Sequence, residues 1–106
     1  FTEPGISGLE TLLPLALRLS EEGILSRSQA IARVTSGPAE VLGIEAGNLK
    51  IGTSADLCIF DPGHSWEFDT EAMLSAGTNS PFGGWSFNGQ VLRTLLAGDT
   101  VYDRKL

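Results

Sequence analysis

The spacing of apolar residues changes near residue 47, and the change divides the chain into two parts. Before it, apolar residues recur at helical spacing, and after it they mostly alternate with polar residues. The first pattern predicts helices over residues 8–22, 27–35 and 38–42. The second predicts a mainly β module from 48 to 102. The pattern therefore indicates an α+β chain in which the helices precede the strands.

The first predicted helix follows a sequence that matches a capping box. Ser7 can accept a hydrogen bond from the backbone N–H of Glu10, and the Glu10 side chain can return one to Ser7. Pro14 lies inside the predicted helix, where it removes a backbone hydrogen bond, so we expect a kink near Glu10. Gly23 is expected to end the helix. Because its apolar side is wider than one stripe, we expect this helix to pack on a larger body and to contact few residues of the β module.

Residues 47–61, with the sequence GNLKIGTSADLCIFD, are expected to organise the β module. Leu49 and Ile51 alternate with polar neighbours, which predicts a short strand with one buried face. Residues 55–60 are almost entirely apolar, which is typical of a strand covered on both faces. Cys58 is therefore expected to be buried.

Turn residues are expected to separate the later strands. Residues 61–63, Asp-Pro-Gly, should stop the preceding strand, since Pro62 lacks an N–H and Gly63 permits a reversal. The alternation around Trp66 predicts another half-buried strand. Residues 88–89, Asn-Gly, predict a turn between two strands, and residues 97–99 predict the last turn.

Composition excludes several classes of function. The chain has 106 residues and a net charge of −6, which argues against nucleic-acid and anionic-membrane partners. A single cysteine cannot form an internal disulfide, and it suits a reduced cytoplasm. Apolar runs fall short of the ~18 residues that a membrane span needs. The chain begins with Phe1 rather than Met, so we expect it to be cut from something longer.

No active site follows from the residue pattern alone. His64 is the only histidine, and a metal site needs several converging ligands, so a solvated loop histidine is expected. Ser65 is its neighbour in a strand and should point the other way, which excludes a Ser-His pair. Asp56 and Asp61 flank one strand at too great a distance for paired acid–base chemistry, and Asp56 is expected to bond turn backbone.

An aromatic set in the β module allows two interpretations, a binding groove or a packed core, of which the core is the default. The set comprises Trp66, Phe68, Phe82, Trp85 and Phe87.

Four blocks of sequence carry a family resemblance. Residues 3–14 (EPGISGLETLLP) resemble the loop and final barrel helix of dihydroorotases. Residues 47–61 resemble the segment by which amidohydrolase chains return to their small β domain. Residues 79–83 (NSPFG) and 89–102 (GQVLRTLLAGDTVY) agree with the same families. Together the blocks extend over essentially the whole chain.

The resemblance implies the C-terminal part of a zinc-dependent dihydroorotase. Residues 1–46 would be the end of a (β/α)8 barrel, with the substrate loop and final helices, and residues 47–106 a small β-rich domain. The parent enzyme would interconvert N-carbamoyl-L-aspartate and L-dihydroorotate in pyrimidine synthesis. Its zinc ligands, which are histidines, a modified lysine and aspartates, would lie upstream, so this segment would bind no metal and be inactive alone. Pro4 and Gly5 match the loop whose backbone contacts substrate in this family.

The resemblance leaves other classes open. The parent could be a noncatalytic dihydroorotase-like partner of aspartate carbamoyltransferase, or another cyclic amidohydrolase of the hydantoinase or allantoinase type. The family resemblance implies a cytoplasmic protein that is a homo-oligomer. A third class, an independent interaction module, is disfavoured because it would leave the broad apolar side of the first helix exposed.

Overall fold

The computed structural model describes residues 4–104, which form an α+β arrangement of three helices followed by three strands. No helix within that range is both long and apolar enough to cross a membrane. The predicted order of helices before strands is confirmed. The elements are α1 (Leu12–Glu21), α2 (Arg27–Ala32), α3 (Ser36–Leu42), β1 (Leu57–Glu67), a short 3-10 helix (Thr70–Ala72), β2 (Ser86–Leu96) and β3 (Asp99–Asp103).

Helix α1 begins four residues later than expected, and the predicted capping box does not form. Thr11 is the N-cap residue, and its side chain makes no capping hydrogen bond. The Glu10 carboxylate instead binds Ser75, which lies far along the chain. A tertiary contact has therefore replaced the local bond that the sequence motif offered.

The kink expected near Glu10 does not occur, because α1 begins at Leu12 and Pro14 lies in its first turn. The first N–H groups of a helix have no intrahelical acceptor, so proline removes nothing there. The regular bonding starts one residue later, where Leu15 N–H donates to the Thr11 carbonyl at 3.0 Å. Gly23 ends the helix as predicted: it has a φ of +74°, and its N–H donates to the Ser20 carbonyl at 3.1 Å.

The boundary between α2 and α3 lies earlier than predicted. Ser26 caps α2 in a complete capping box with Gln29. Helix α2 then ends at Ala32, and α3 starts at Ser36, so Pro38 is the third residue of α3 instead of the first, still within its first turn. Gly43 closes α3 in the left-handed conformation with φ +68°.

The three strands form one antiparallel sheet in the order β1-β2-β3. Strand β1 does not stop at Pro62. Residues 62–64 bulge out opposite the single residue Gly89, and pairing resumes where Ser65 faces Asn88. Proline is tolerated there because it lies on the edge strand, at a bulge. The predicted turn at residues 88–89 is therefore wrong, and β2 runs through it.

Two burial predictions in the β module are also wrong. Leu49 and Ile51 lie in a loop and turn instead of a strand, with exposed fractions of 84% and 105%. Cys58 is exposed, and Ile59 is 46% exposed, so β1 is not covered on both faces by residues 4–104. These residues have the apolar character of covered positions, but residues 4–104 do not cover them.

Helix α1 packs on β2, which contradicts the expectation that it would contact few β residues. Leu17 is 3% exposed, and a Cβ added at Gly89 would lie 2.5 Å from its Cδ1 atom. The close approach is possible because Gly89 has no side chain. The opposite side of α1 is open, where Leu12 and Leu19 are exposed. One face of the helix is therefore buried within the chain, and the other is not.

The aromatic set forms the core beneath α1, as the default interpretation predicted. Phe68 and Phe87 are buried, with ring centroids 6.1 Å apart. Trp66 donates from Nε1 to the Gly89 carbonyl at 2.8 Å, which satisfies the polar atom of a half-buried indole. Trp85 lies at the edge of the core, with the Arg18 guanidinium 5.0 Å from its ring centroid.

Candidate functional site

The two residues singled out by the sequence lie in the first loop, defined as residues 4–10. Pro4 and Gly5 are both exposed. Gly5 has a φ of +86°, and a Cβ added there would meet no atom within 4 Å. The backbone at Gly5 therefore presents an open face that other residues of the described chain do not obstruct.

Asn79, which is distant in sequence, forms hydrogen bonds to this loop. Its Nδ2 atom donates to the Gly5 carbonyl at 2.7 Å, across 74 residues of sequence. Its own backbone carbonyl accepts the N–H of Ser7 at 2.7 Å. Asn79 belongs to the long loop, defined as residues 73–85, which joins the 3-10 helix to β2. One residue therefore bonds the first loop at two points on either side of Ile6.

A second set of bonds joins the two loops at Glu10. Its carboxylate accepts Ser75 N–H at 2.9 Å, Ser75 Oγ–H at 2.8 Å and Leu74 N–H at 3.3 Å. Burial opposes the charge on Glu10, but these three bonds outweigh it and hold the pKa of the carboxyl below its ordinary value. Between the bonds made by Asn79 and those made by Glu10, the two loops approach each other closely. A Cβ added at Gly77 would lie 2.7 Å from Ser7 Oγ.

The described residues do not assemble a catalytic or metal centre. No group of three or more His, Cys, Asp or Glu side chains that could hold a metal converges within residues 4–104. His64 is exposed in the bulge of β1. Although Cys58 is exposed, the protein atoms around it desolvate its thiol in part and raise the pKa, which disfavours the thiolate that a cysteine nucleophile needs. Asp56 has a structural role, because its carboxylate accepts a hydrogen bond from the Ala97 N–H at 2.8 Å.

A groove of about 550 Å³ lies between the start of α1 and the sheet. Its lining is mainly apolar and includes Leu13, Pro14, Phe68 and Val91. Gln90 also lines it, and the Oε1 atom of that buried side chain has no hydrogen-bond partner among the described residues. No two titratable groups that line the groove are in bonding contact with each other. The groove is therefore better suited to packing against another apolar surface than to catalysis.

The sequence singles out Pro4 and Gly5 as candidate substrate-binding residues, but it does not reveal which residues position them. Asn79 was recognised only as part of the NSPFG block, and Glu10 was assigned to a local cap. No local signal reveals these contacts, because the partners lie 64 to 74 residues apart. Fixed spacing within a helix or turn can be read from a sequence, whereas a bond between two distant loops depends on how the sheet and α1 bring them together.

The chain is similar to known proteins in both sequence and fold. A model described as the Amidohydrolase family matches residues 6–102, a range that begins directly after Gly5. Curated proteins named dihydroorotase are similar in sequence. That from Syntrophotalea carbinolica is 49% identical over 92% of this chain and 23% of its own length, and that from Anaplasma phagocytophilum is 46% identical over 92% and 22%. The chain therefore spans about 23% of the length of such relatives.

Solved structures show the same fold. The L-hydantoinase (dihydropyrimidinase) from Arthrobacter aurescens superposes with a TM-score of 0.87 at 30% identity, covering 96% of this chain and 23% of that one. A D-hydantoinase also has a TM-score of 0.87, at 27% identity. The fold of this chain is thus shared with part of much longer hydantoinase chains.

Proposed function

Because the chain belongs to the amidohydrolase family, we propose that it is a segment of a dihydroorotase. Its parent would interconvert N-carbamoyl-L-aspartate and L-dihydroorotate by closing and opening a cyclic amide. The observation that carries this proposal is the 49% identity to a protein of that name. The same region is less similar to hydantoinases, at 27% and 30% identity.

We place residues 1–46 at the end of a (β/α)8 barrel and residues 47–106 in a small β-rich domain that follows it. Apolar residues left uncovered in both parts support the presence of further packing partners in the parent, because a folded protein rarely leaves so many on its surface. They include Leu9, Leu12, Val41, Leu42, Ile44, Leu49 and Ile51. The remaining parts of the parent would cover them.

In this proposal, Pro4 and Gly5 bind the substrate. The first loop precedes a helix that we assign to the barrel, and functional loops of such barrels follow the strands and precede the helices. The open face at Gly5 supports the role, because a ligand can approach backbone that carries no side chain. The residues of this segment would orient the substrate and would move no proton.

Zinc belongs to the parent in this proposal. The described residues do not fit a metal, since no cluster of suitable ligands exists among them. When bound by residues outside this segment, zinc would supply Lewis-acid activation of the amide and of water. No step of the reaction is assigned to a metal held by this chain, and the isolated segment is expected to be inactive.

Two other functions are each compatible with one observation. Fold similarity to hydantoinases favours a different cyclic amide as substrate. The absence of a catalytic centre from residues 4–104 is equally compatible with a noncatalytic partner of aspartate carbamoyltransferase. Homo-oligomerisation and a cytoplasmic location stay predictions.

The proposal is tested by assaying the purified full-length protein with three substrates in parallel: N-carbamoyl-L-aspartate, L-dihydroorotate and hydantoin. Interconversion of the first two, without hydantoin hydrolysis, is the expected result. Hydantoin hydrolysis alone would replace the proposal with the hydantoinase alternative. Inactivity towards all three, with a metal content near zero by mass spectrometry, would favour the noncatalytic partner.

A further inference from the structure

We infer that Asn79 is a positioning residue for the substrate loop, and this inference rests on the proposed function of Gly5. Its side-chain amide and its backbone carbonyl bond the first loop at Gly5 and Ser7, each at 2.7 Å. No other side chain among residues 4–104 bonds the backbone of Gly5. Each of these bonds restricts a different motion of the first loop.

The bond to the Gly5 carbonyl sets the orientation of one peptide unit. A peptide group is planar, so fixing the direction of the Gly5 carbonyl also fixes the plane shared with Ile6. Glycine at φ +86° could otherwise rotate among several conformations of similar energy. The Asn79 amide therefore selects one conformation at the most permissive position in the loop.

The second bond prevents the loop from moving as a unit. Ser7 N–H is held by the Asn79 carbonyl, and three residues later Glu10 is held by Ser75. The first loop is thus attached to the long loop at three successive points. Because α1 packs on β2, both loops are also carried by elements that are fixed relative to each other.

Preorganisation of this kind changes affinity for substrate. A loop already in its bound conformation loses less conformational freedom when the ligand arrives. Removing the Asn79 amide should therefore raise KM more than it lowers kcat, since the loop contacts substrate in the ground and transition states alike.

The test uses the full-length protein with the variants Asn79→Ala and Asn79→Asp. The alanine variant removes the donor, whereas the aspartate variant keeps the shape but places a carboxylate oxygen against the Gly5 carbonyl. Asn48→Ala is the matched control, because Asn48 also donates to a backbone carbonyl, that of Ala46, at 3.5 Å in a remote turn. Both Asn79 variants are expected to raise KM about tenfold with kcat within about twofold, and Asn48→Ala is expected to change neither.

A measurement independent of turnover accompanies the kinetics. Hydrogen–deuterium exchange should accelerate in the peptide that contains Ser7 in both Asn79 variants and stay unchanged in Asn48→Ala. A higher KM in Asn79→Ala but not in Asn79→Asp would overturn the inference, because the side chain would then only fill space. So would unchanged KM in both variants, or a fall in kcat at constant KM, or a loss of secondary structure by circular dichroism in both.

The two levels of proposal fail separately. Wild-type protein without dihydroorotase activity overturns the proposed function and this inference with it. Active wild type with unaffected Asn79 variants overturns the inference and leaves the proposed function intact.

Discussion

The carboxylate of Asp56 accepts a hydrogen bond of 2.8 Å from the backbone N–H of Ala97, at the tip of the β2–β3 hairpin. Ala97 has a φ of +50° and Gly98 a φ of +85°, the combination that a two-residue turn of the primed type requires. The adjacent carbonyl of Ala55 accepts Gly98 N–H at 3.0 Å. The segment before β1 therefore supports a turn that contains a residue in an unfavourable conformation.

Replacing Asp56 with alanine is expected to loosen this hairpin. The substitution removes a charged acceptor from the N–H of Ala97, and such a bond contributes about 1.5 kcal/mol. Hydrogen exchange at residues 97–98 in the full-length protein should accelerate about tenfold, since that free energy corresponds to such a factor. Asp99→Ala, in the same hairpin, is the control. Equal exchange rates in wild type and Asp56→Ala would contradict the prediction.

Glu10 is expected to make the stability of the loop contact depend on pH. Its folded-state pKa is lowered from 4.5, so the ionised form binds more strongly in the folded protein than the protonated form does. The stabilisation is therefore fully present above pH 4.5 and is lost as the pH falls through the lowered folded-state value. Glu10→Gln should melt about 2 °C below wild type at pH 7.

The measurement is a series of melting temperatures from pH 7 towards pH 3 on the full-length protein. The gap between wild type and Glu10→Gln should narrow as the pH falls below 4.5. Glu40→Gln, on the exposed surface of α3, is the control and should show no such gap. A gap that widens with acid would show that the carboxylate does not stabilise the folded state.

A bulky side chain at Gly5 is expected to impair substrate binding. Gly5→Leu forces a leucine to adopt a φ of +86° and places it on the open face of the loop, so kcat/KM for carbamoyl-aspartate should fall about tenfold or more. Gly52→Leu is a matched control, because Gly52 has a φ of +90° and equally open surroundings. If both variants lose activity equally, backbone strain explains the loss, and Gly5 is no longer assigned to the substrate-binding site. If neither loses activity, the dihydroorotase proposal stands without Gly5.

A side chain at Gly89 is expected to separate α1 from the sheet. The added Cβ of Gly89→Ala would lie 2.5 Å from Leu17 Cδ1, and the φ of +105° disfavours alanine as well. Overpacking and strain together should cost about 2 kcal/mol or more. The change is measured as a lower melting temperature of the full-length protein.

A double-mutant cycle separates the two causes. In a Leu17→Ala background the clash disappears, so the further cost of Gly89→Ala should shrink to the backbone strain alone. Additive effects in the cycle would show that Leu17 and Gly89 are not in contact.

Several features of this protein follow from local sequence because the groups that bond are a few residues apart. Gly23 and Gly43 end helices, Ser26 and Gln29 cap one, and Asp69 caps the 3-10 helix by accepting Glu71 N–H at 2.9 Å. Each depends on a fixed spacing that any chain of this sequence would offer. The order of helices before strands and the final hairpin were predictable for the same reason.

Tertiary structure determined the conformation and the hydrogen-bond partners wherever a local bond competed with a distant one. Glu10 could have capped its own helix but binds Ser75, where three donors converge on its carboxylate. Residues 88–89 have the composition of a turn, yet β1 pairs with the residues on both sides of Gly89 and keeps them in a strand. The lack of a side chain at Gly89 allows the close approach of Leu17. The pattern of apolar residues also does not determine which of them are buried. The apolar residues at 49 and 51 need packing partners that residues 4–104 do not supply. The candidate site belongs to this second group: Gly5 is visible in the sequence, but its conformation is set by an asparagine 74 residues away, which only the packing of α1 on the sheet brings within bonding distance.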